Sequence, residues 1–300
     1  MTMNWTRPPI FSERLRAARA AITATLGTVA VLLPLLLAPA AAQAQGAAPP
    51  ATATDSGVQV RKPRLLLVPE SMVNSTAAQQ YAQMKQQAQA RRVLNVDAPQ
   101  VQRVRAIAQR MIPFGARFNP ASAQWQWEVN VIDAPQINAF CMPGGKIMVF
   151  DGLIDRLNLT DDELAAVIGH EIAHALLEHG RARMSEQVLK SVGINLAAAY
   201  FGLSDVGMAA LAQAAQLAIT LPYSRGHETD ADLLGLELAA RGGFDPRAAV
   251  SLWRKMAAAS QGQPPQFLST HPGHAQRITE IQRALPRVLP LYQSAAAVRR

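Results

Sequence analysis

Residues 160–174 read TDDELAAVIGHEIAH, and this stretch decides the fold. Thr160 and Glu163 have the spacing of a capping box, in which each side chain accepts a hydrogen bond from the other residue's backbone N–H. A helix is therefore predicted to begin at this point. Within it, His170 and His174 are four residues apart and project from the same face. The sequence thus predicts a helix that presents two imidazoles side by side.

The residues of this pair point to metal-assisted hydrolysis. Two imidazoles on one helix face can hold a single zinc ion, and Glu171 follows about 100° further round the helix. A carboxylate in that position can take a proton from a water molecule that attacks a carbonyl group. The HExxH spacing arises by accident in on the order of one chain in a hundred. The capped helix around the motif makes accident a poor explanation.

A third metal ligand is expected from residues 224–232, which read SRGHETDAD. Glu228 and Asp232 are again four residues apart on one face of a predicted helix. Glu228 can ligate the ion, while Asp232 can accept a hydrogen bond from a ligating imidazole and so fix its tautomer. His227 and Asp230 are the alternative ligands in this segment.

The two segments together resemble the gluzincin family that contains the CAAX prenyl proteases, the HtpX-type proteases and the periplasmic BepA-like proteases. The resemblance extends over roughly residues 71–286, and further short matches support it: NAF at 138–140, PGG at 143–145, GL at 152–153, THP at 270–272 and RI at 277–278. It implies an α+β, mostly helical fold of the zincin type with a small edge β-sheet.

The resemblance also implies roles for individual residues. One Zn²⁺ per chain would be bound by His170, His174 and Glu228. Glu171 would be the general base. Residues 138–140 (Asn138, Ala139 and Phe140) would form an edge strand along which a substrate peptide lies extended.

Further candidates for the site lie just before Glu228 and near the end of the predicted domain. Arg225 precedes Glu228 and is a candidate for stabilising the oxyanion, as are Tyr223 and His227; an ion pair is the other role for Arg225. His271 lies in a loop shaped by Pro272. Its imidazole could hydrogen-bond the attacking water, fill the open metal position until substrate displaces it, or only pack the last helix.

The first 44 residues have the organisation of a signal peptide. Residues 20–42 carry no charge, four arginines precede them, and Ala42-Gln43-Ala44 is a small-x-small cleavage site. The sequence thus predicts export, with the periplasm as destination; an uncleaved inner-membrane anchor is the alternative. We expect a flexible linker at 45–64, a metallopeptidase domain at 65–292 and a tail at 293–300.

Composition narrows the possible partners. The net charge of +8 falls to +5 when the +3 of the first 44 residues is removed. The remaining basic residues form no stripe interleaved with aromatics, so nucleic acid is not an expected partner, whereas contact with a membrane surface is possible. Cys141 is the single cysteine, so it forms no disulfide within the chain, and we interpret it as a small buried hydrophobe.

The remaining elements are predicted from periodicity. Strands are expected at 125–132, 138–141 and 146–150, and helices at 161–183, 227–241, 246–260 and 273–284. Residues 191–221 contain one charge, Asp205, and we expect two buried or groove-forming helices there. Because Glu178 and His179 lie on the same predicted helix as the HExxH motif, at 161–183, we expect neither to reach round the metal.

These features favour a zinc-dependent endopeptidase that hydrolyses misfolded or misassembled exported proteins. The alternative is an envelope assembly factor or chaperone that binds polypeptides and keeps a latent zinc site. Glu171 favours catalysis, because a binding module has no use for a general base beside the metal.

Overall fold

A computed structural model describes most of the chain after the predicted signal peptide. The described residues are 57–63, 65–192, 222–260, 265–272 and 275–297. The predicted signal peptide, most of the linker and most of the apolar segment 191–221 lie outside these residues.

The described residues are mostly helical, with one small sheet. The helices are α1 (Glu70–Ala90), α2 (Ala98–Met111), α3 (Asp151–Leu157), α4 (Asp161–Leu176), α5 (His179–Val192), α6 (Arg225–Arg241), α7 (Ala248–Ala259), α8 (Gln266–Thr270) and α9 (Ala275–Ala297). The strands are β1 (Glu128–Ile132), β2 (Ala139–Met142) and β3 (Lys146–Phe150), and two short 3-10 helices span Ile112–Arg117 and Pro120–Gln124. The α+β, mostly helical fold class is confirmed.

The sheet has the order β1-β3-β2, so β2 is an edge strand. β1 runs parallel to β3, and β2 runs antiparallel to it, with Cys141 opposite Ile147. Gly144 and Gly145 join β2 to β3 with φ angles of 78° and 80°. Only glycine adopts these angles without strain, which explains the Pro-Gly-Gly turn.

The two faces of the sheet pack against different helices. Ala139 and Cys141 point into the main hydrophobic core, which also contains Ile168 and Ile172 of α4. Met142 points to the other face, into a smaller cluster with Ala77 and Tyr81 of α1. Side chains alternate along a strand, so consecutive residues of β2 meet α4 and α1 in turn.

Helices α4 and α6 approach each other closely at two glycines. A Cβ on Gly235 would lie 2.7 Å from the backbone nitrogen of His170, and a Cβ on Gly169 would lie 2.8 Å from the carbonyl oxygen of Gly235. Both distances are shorter than a van der Waals contact, so neither position has room for a side chain. This close approach brings Glu228 and Asp232 of α6 near the HExxH motif of α4.

The structure corrects the end of the HExxH helix. We expected one helix from Asp161 to Arg183, but α4 ends at Leu176 and α5 begins at His179. Between them, Glu178 has a φ angle of 56°, which turns the chain. The turn places His179 against His174, with the two Nδ1 atoms 3.0 Å apart. His179 therefore contacts a predicted ligand, but it does not belong to the group of potential ligands.

The structure also differs from the predicted domain boundaries at both ends. Helix α9 continues to Ala297, beyond residue 292, where we expected the tail to begin. Residues 57–63 were expected to be linker, yet Val58 is buried and its N–H donates to Glu237 Oε2 at 2.9 Å. Among the described residues, no helix is both long and apolar enough to cross a bilayer.

Candidate metal centre and active site

Four buried residues from three elements converge on one point. His170 and His174 come from α4, Glu228 from α6, and His271 from the residue that follows α8. One potential ligand atom from each lies within 4.8 Å of all the others. The facing Nε2 atoms of His170 and His174 are 3.0 Å apart, and Nδ1 of His271 is 3.2 Å from Glu228 Oε1.

The cluster has the chemistry of a cation site. Three ring nitrogens and a carboxylate directed at one point repel one another unless a proton or a metal ion lies between them. Burial lowers the pKa of His174 well below its ordinary value, so its imidazole is neutral and free to ligate. Burial alone would raise the pKa of Glu228, but His271 and His174 lower it, so this carboxylate is ionised. Neutral imidazoles and a carboxylate are suitable ligands for zinc.

A charged pair supports His170. Its Nδ1 is 3.0 Å from Oδ1 of Asp232, and Arg277 of α9 donates to both carboxylate oxygens, at 2.6 and 2.7 Å. Burial opposes the charge of Asp232, but Arg277 outweighs it and lowers the pKa of Asp232. The arrangement leaves Nε2 of His170 free to face the cluster, as we predicted for Asp232 from its spacing.

Two uncharged side chains, those of His179 and Tyr223, contact the ring of His174. Nδ1 of His179 lies 3.0 Å from Nδ1 of His174, and burial lowers the pKa of His179 well below its ordinary value. On the other side, the ring of Tyr223 stacks on His174 with centroids 3.9 Å apart. His179 was not expected at the site, because the spacing predicted one continuous helix where α4 ends and α5 begins.

Glu171 lies between the cluster and the edge strand. Its Oε2 accepts a hydrogen bond from the backbone N–H of Cys141 at 3.3 Å, while Oε1 is buried and has no hydrogen-bond partner among the described residues. Burial raises the pKa of Glu171. A carboxylate with a raised pKa and a free buried oxygen is suited to accept a proton from water near neutral pH.

A cavity of about 290 Å³ opens beside Glu171 and His174. Strand β2 and residue 138 line one side of it, including the predicted substrate residues Asn138, Ala139 and Phe140. Residues of helix α1 line it as well. The predicted peptide-binding strand therefore borders the same space as the predicted base.

The remaining candidates are placed less favourably. Arg225 is exposed at the start of α6 and does not line the cavity, whereas Tyr223, two residues earlier, does. The oxyanion role assigned to Arg225 is therefore unsupported. His227 stacks on His179 with centroids 4.3 Å apart, and Asp230 pairs with Arg61. Neither belongs to the four-residue cluster, although both were alternative ligands.

Arg277 had no assigned role in the sequence analysis. It is almost fully buried, contacts both Asp232 and Glu228, and lies over the ring of Trp253. Its only sequence signal was its place six residues after His271, in the matched Arg277-Ile278 pair.

An HExxH helix, with a glutamate from a second helix beside both histidines, defines a metallopeptidase of the gluzincin class. The chain belongs to peptidase family M48, whose family model matches residues 98–285. This confirms the family resemblance found in the sequence.

Relatives from mitochondria and bacteria match the same region. The mitochondrial metalloendopeptidase OMA1 of Schizosaccharomyces pombe is 40% identical over 163 residues, 54% of this chain and 47% of its own length. Metalloendopeptidase OMA1 of Bos taurus is 34% identical over 187 residues, 58% of this chain and 35% of its own length. The β-barrel assembly-enhancing protease of Yersinia pestis is 29% identical over 184 residues, 57% of this chain and 37% of its own length. The chain thus spans less than half the length of these three relatives.

Proposed function

We propose that this chain is a zinc-dependent endopeptidase that hydrolyses misfolded or misassembled polypeptides outside the bacterial cytoplasm. The observation that carries the proposal is the convergence of His170, His174 and Glu228 beside Glu171. These three residues would hold one Zn²⁺ per chain. When bound, the ion would polarise the scissile carbonyl and acidify the attacking water.

Glu171 supplies the proton transfer. Its raised pKa keeps it basic enough to accept a proton from the attacking water. Its Oε1, which has no hydrogen-bond partner among the described residues, is the atom available to receive that proton. The same carboxyl group then gives the proton to the leaving amine. The N–H of Cys141 holds Oε2 and so orients the carboxylate.

Tyr223 is the oxyanion donor that replaces Arg225 in this proposal. Burial raises the pKa of Tyr223 to about 12, so its hydroxyl keeps its proton and can donate. The ring lines the cavity against His174. Tyr223→Phe is expected to lower kcat by about 100-fold, the usual loss for one oxyanion donor. Zinc content and melting temperature should not change, because the ring is retained.

His271 is proposed to fill the fourth position around the ion until substrate displaces it. Its Nδ1 faces Glu228, and its Nε2 lies 3.4 Å from Glu171 Oε1. His271→Ala should then raise basal proteolysis at constant zinc occupancy. Unchanged proteolysis with lower thermal stability would leave His271 a packing role against Phe267, on which it stacks.

Separate observations support the proposed location and the proposed clients. The basic, apolar and small-residue order of residues 1–44 supports export to the periplasm, and a membrane surface is a possible contact for the basic mature chain. The name of the bacterial relative refers to β-barrel assembly, and the names of the two OMA1 relatives refer to mitochondria. Unfolded or misassembled proteins are suitable clients, because an edge strand binds backbone more than side chains.

Casein digestion tests the activity directly. The zinc-loaded wild-type chain should cleave casein, and a chelator should stop it. Glu171→Gln should keep its zinc and lose at least about 100-fold in rate, because an amide cannot accept the proton. Zinc binding without any cleavage by the wild type would instead favour the assembly factor or chaperone with a latent site.

A further inference from the structure

We propose that α1 forms a specificity wall of the substrate groove, selecting apolar side chains at every second residue of a bound peptide. The inference rests on the proposed peptidase function and deepens it by naming the substrate class. Helix α1 spans Glu70–Ala90 and so lies outside residues 98–285, which the family model covers. Its role is therefore read from the contacts of this chain alone.

Among the described residues, no strand pairs with β2 on the side away from β3. Phe150 donates its N–H to the carbonyl of Asn138, and antiparallel pairing alternates from residue to residue. Phe140 therefore bonds to β3 as Asn138 does, whereas Ala139 and Cys141 turn their backbone groups away from the sheet. The N–H of Cys141 does point away, since it reaches Glu171. A peptide that pairs with this edge thus passes directly beside the general base.

The side chains of such a peptide must alternate between the two faces of the sheet, as those of β2 do. One face contains α4 and the metal cluster. The other contains Phe140 and Met142 of β2 together with α1. Every second side chain of the peptide therefore points towards α1.

The residues of α1 that line the cavity recur every three or four positions and form one stripe: Glu70, Val73, Asn74, Ala77, Gln80 and Met84. Along the helix, Val73 and Met84 are about 16 Å apart, the length of about five residues of extended peptide. Ala77, between them, is the small residue that leaves space. Val73, Ala77 and Met84 are the apolar members of this stripe, and Asn74 and Gln80 lie among them. Because Phe140 and Met142 add apolar surface to the same cavity, we expect it to accept apolar side chains two residues apart.

Binding of short peptides to the Glu171→Gln chain tests this wall without requiring hydrolysis. The probes are two fluorescent Ser/Ala-based octapeptides of one composition, with leucines at positions i and i+2 in one and at i and i+1 in the other. The i, i+2 peptide should bind about tenfold more tightly, because both leucines then reach the groove. Equal affinity for the two peptides, or binding of neither, would overturn the proposal.

Ala77→Leu should fill the groove and abolish the tenfold preference. The matched control is Ala78→Leu, which adds the same side chain on the exposed face of α1 and should keep the preference. A preference that survives Ala77→Leu, or that Ala78→Leu removes equally, would contradict the wall.

A second pair of variants covers the case in which Ala77→Leu does not fold. Met84 is half-buried, so Met84→Glu can fold while it places a carboxylate in the groove. It should weaken the i, i+2 leucine peptide about tenfold and favour a lysine peptide of the same spacing. Gln83→Glu, at an exposed neighbour, should change neither. If the wild type fails to cleave casein but these preferences hold, the peptidase function fails and the groove stands.

Discussion

The two imidazoles of α4 are one turn apart, yet the side chains that contact them differ in charge. His170 rests on Asp232, which is itself held by the buried Arg277. His174 rests on another neutral imidazole, that of His179, and on the ring of Tyr223. A carboxylate makes an imidazole a stronger base and ligand, whereas a second imidazole orients the ring with little change of charge. We therefore expect Asp232 to matter more than His179 for metal affinity and for stability.

The largest effect is expected from Asp232→Ala. It removes the orienting acceptor of His170 and one of the two anionic partners of buried Arg277. Zinc affinity should fall by about 100-fold and the free energy of unfolding by about 3 kcal/mol. Zinc titration and urea unfolding measure the two quantities.

Asp230→Ala is the matched control, two residues earlier on α6. Its partner, the Arg61 side chain, is 73% exposed, so the loss should be below about 1 kcal/mol. Equal losses in the two variants would contradict the importance of the charged support.

Gly235→Ala should disturb the contacts of both His170 and His174. Its Cβ would clash with the backbone of His170 and push α4 and α6 apart. We expect a loss of about 2 kcal/mol from overpacking and weaker zinc binding. Gly226→Ala, in the first turn of the same helix, meets no atom closer than 3.5 Å and should cost little. Full zinc affinity in Gly235→Ala would show that the close helix crossing is not needed.

His179→Ala should weaken zinc binding about tenfold, the lower end of the range for such partners. His179→Asn should recover much of this loss, because its amide oxygen can lie where Nδ1 lies. His227→Ala removes a ring stacked on His179 without touching the bond to His174, and should leave zinc affinity unchanged. A purely structural role would give equal losses in the alanine and asparagine variants of His179.

The smallest effect is expected at the start of α4, away from the metal. Burial alone would raise the pKa of Glu163, but bonds from Lys255, Thr160 and Ser251 outweigh it and lower that pKa. A lowered folded-state pKa gives stability that is present above pH ~4.3, the unfolded value, and is lost as pH falls through the folded value. Glu163→Gln should cost about 1 kcal/mol at pH 7 and less below pH 4, measured by urea unfolding. Zinc affinity should stay unchanged, because Glu163 stabilises the start of the helix and does not contact the residues that would bind the metal.

The two ends of α4 show how far the sequence predicts this fold. The start follows from a local capping box, and both bonds between Thr160 and Glu163 are present. The end depends on Glu178, whose backbone lies in the left-handed region. Because that conformation is unfavourable for residues other than glycine, a glutamate at this position gives no local signal that the helix ends. The position of His179 therefore could not be predicted.

The site, like helix α4, has one part that the sequence predicts and another that it does not. The cluster of His170, His174 and Glu228, with Asp232 behind it, agrees with spacings of four residues, which helical geometry fixes. Arg277 and α1 reach the site through contacts between residues far apart in the chain, and no spacing encodes these contacts. Arg225 was proposed because it lies near Glu228 in sequence, but the first turn of α6 directs it to solvent.

Zinc titration of metal-free wild type, Glu171→Gln and Glu228→Gln is the most direct test of the proposed centre. One zinc per chain should bind to the wild type and to Glu171→Gln with similar affinity. Glu228→Gln should bind zinc at least about 100-fold more weakly while keeping its fold by circular dichroism. One zinc bound to Glu228→Gln with wild-type affinity would contradict the assignment of Glu228 as the third ligand.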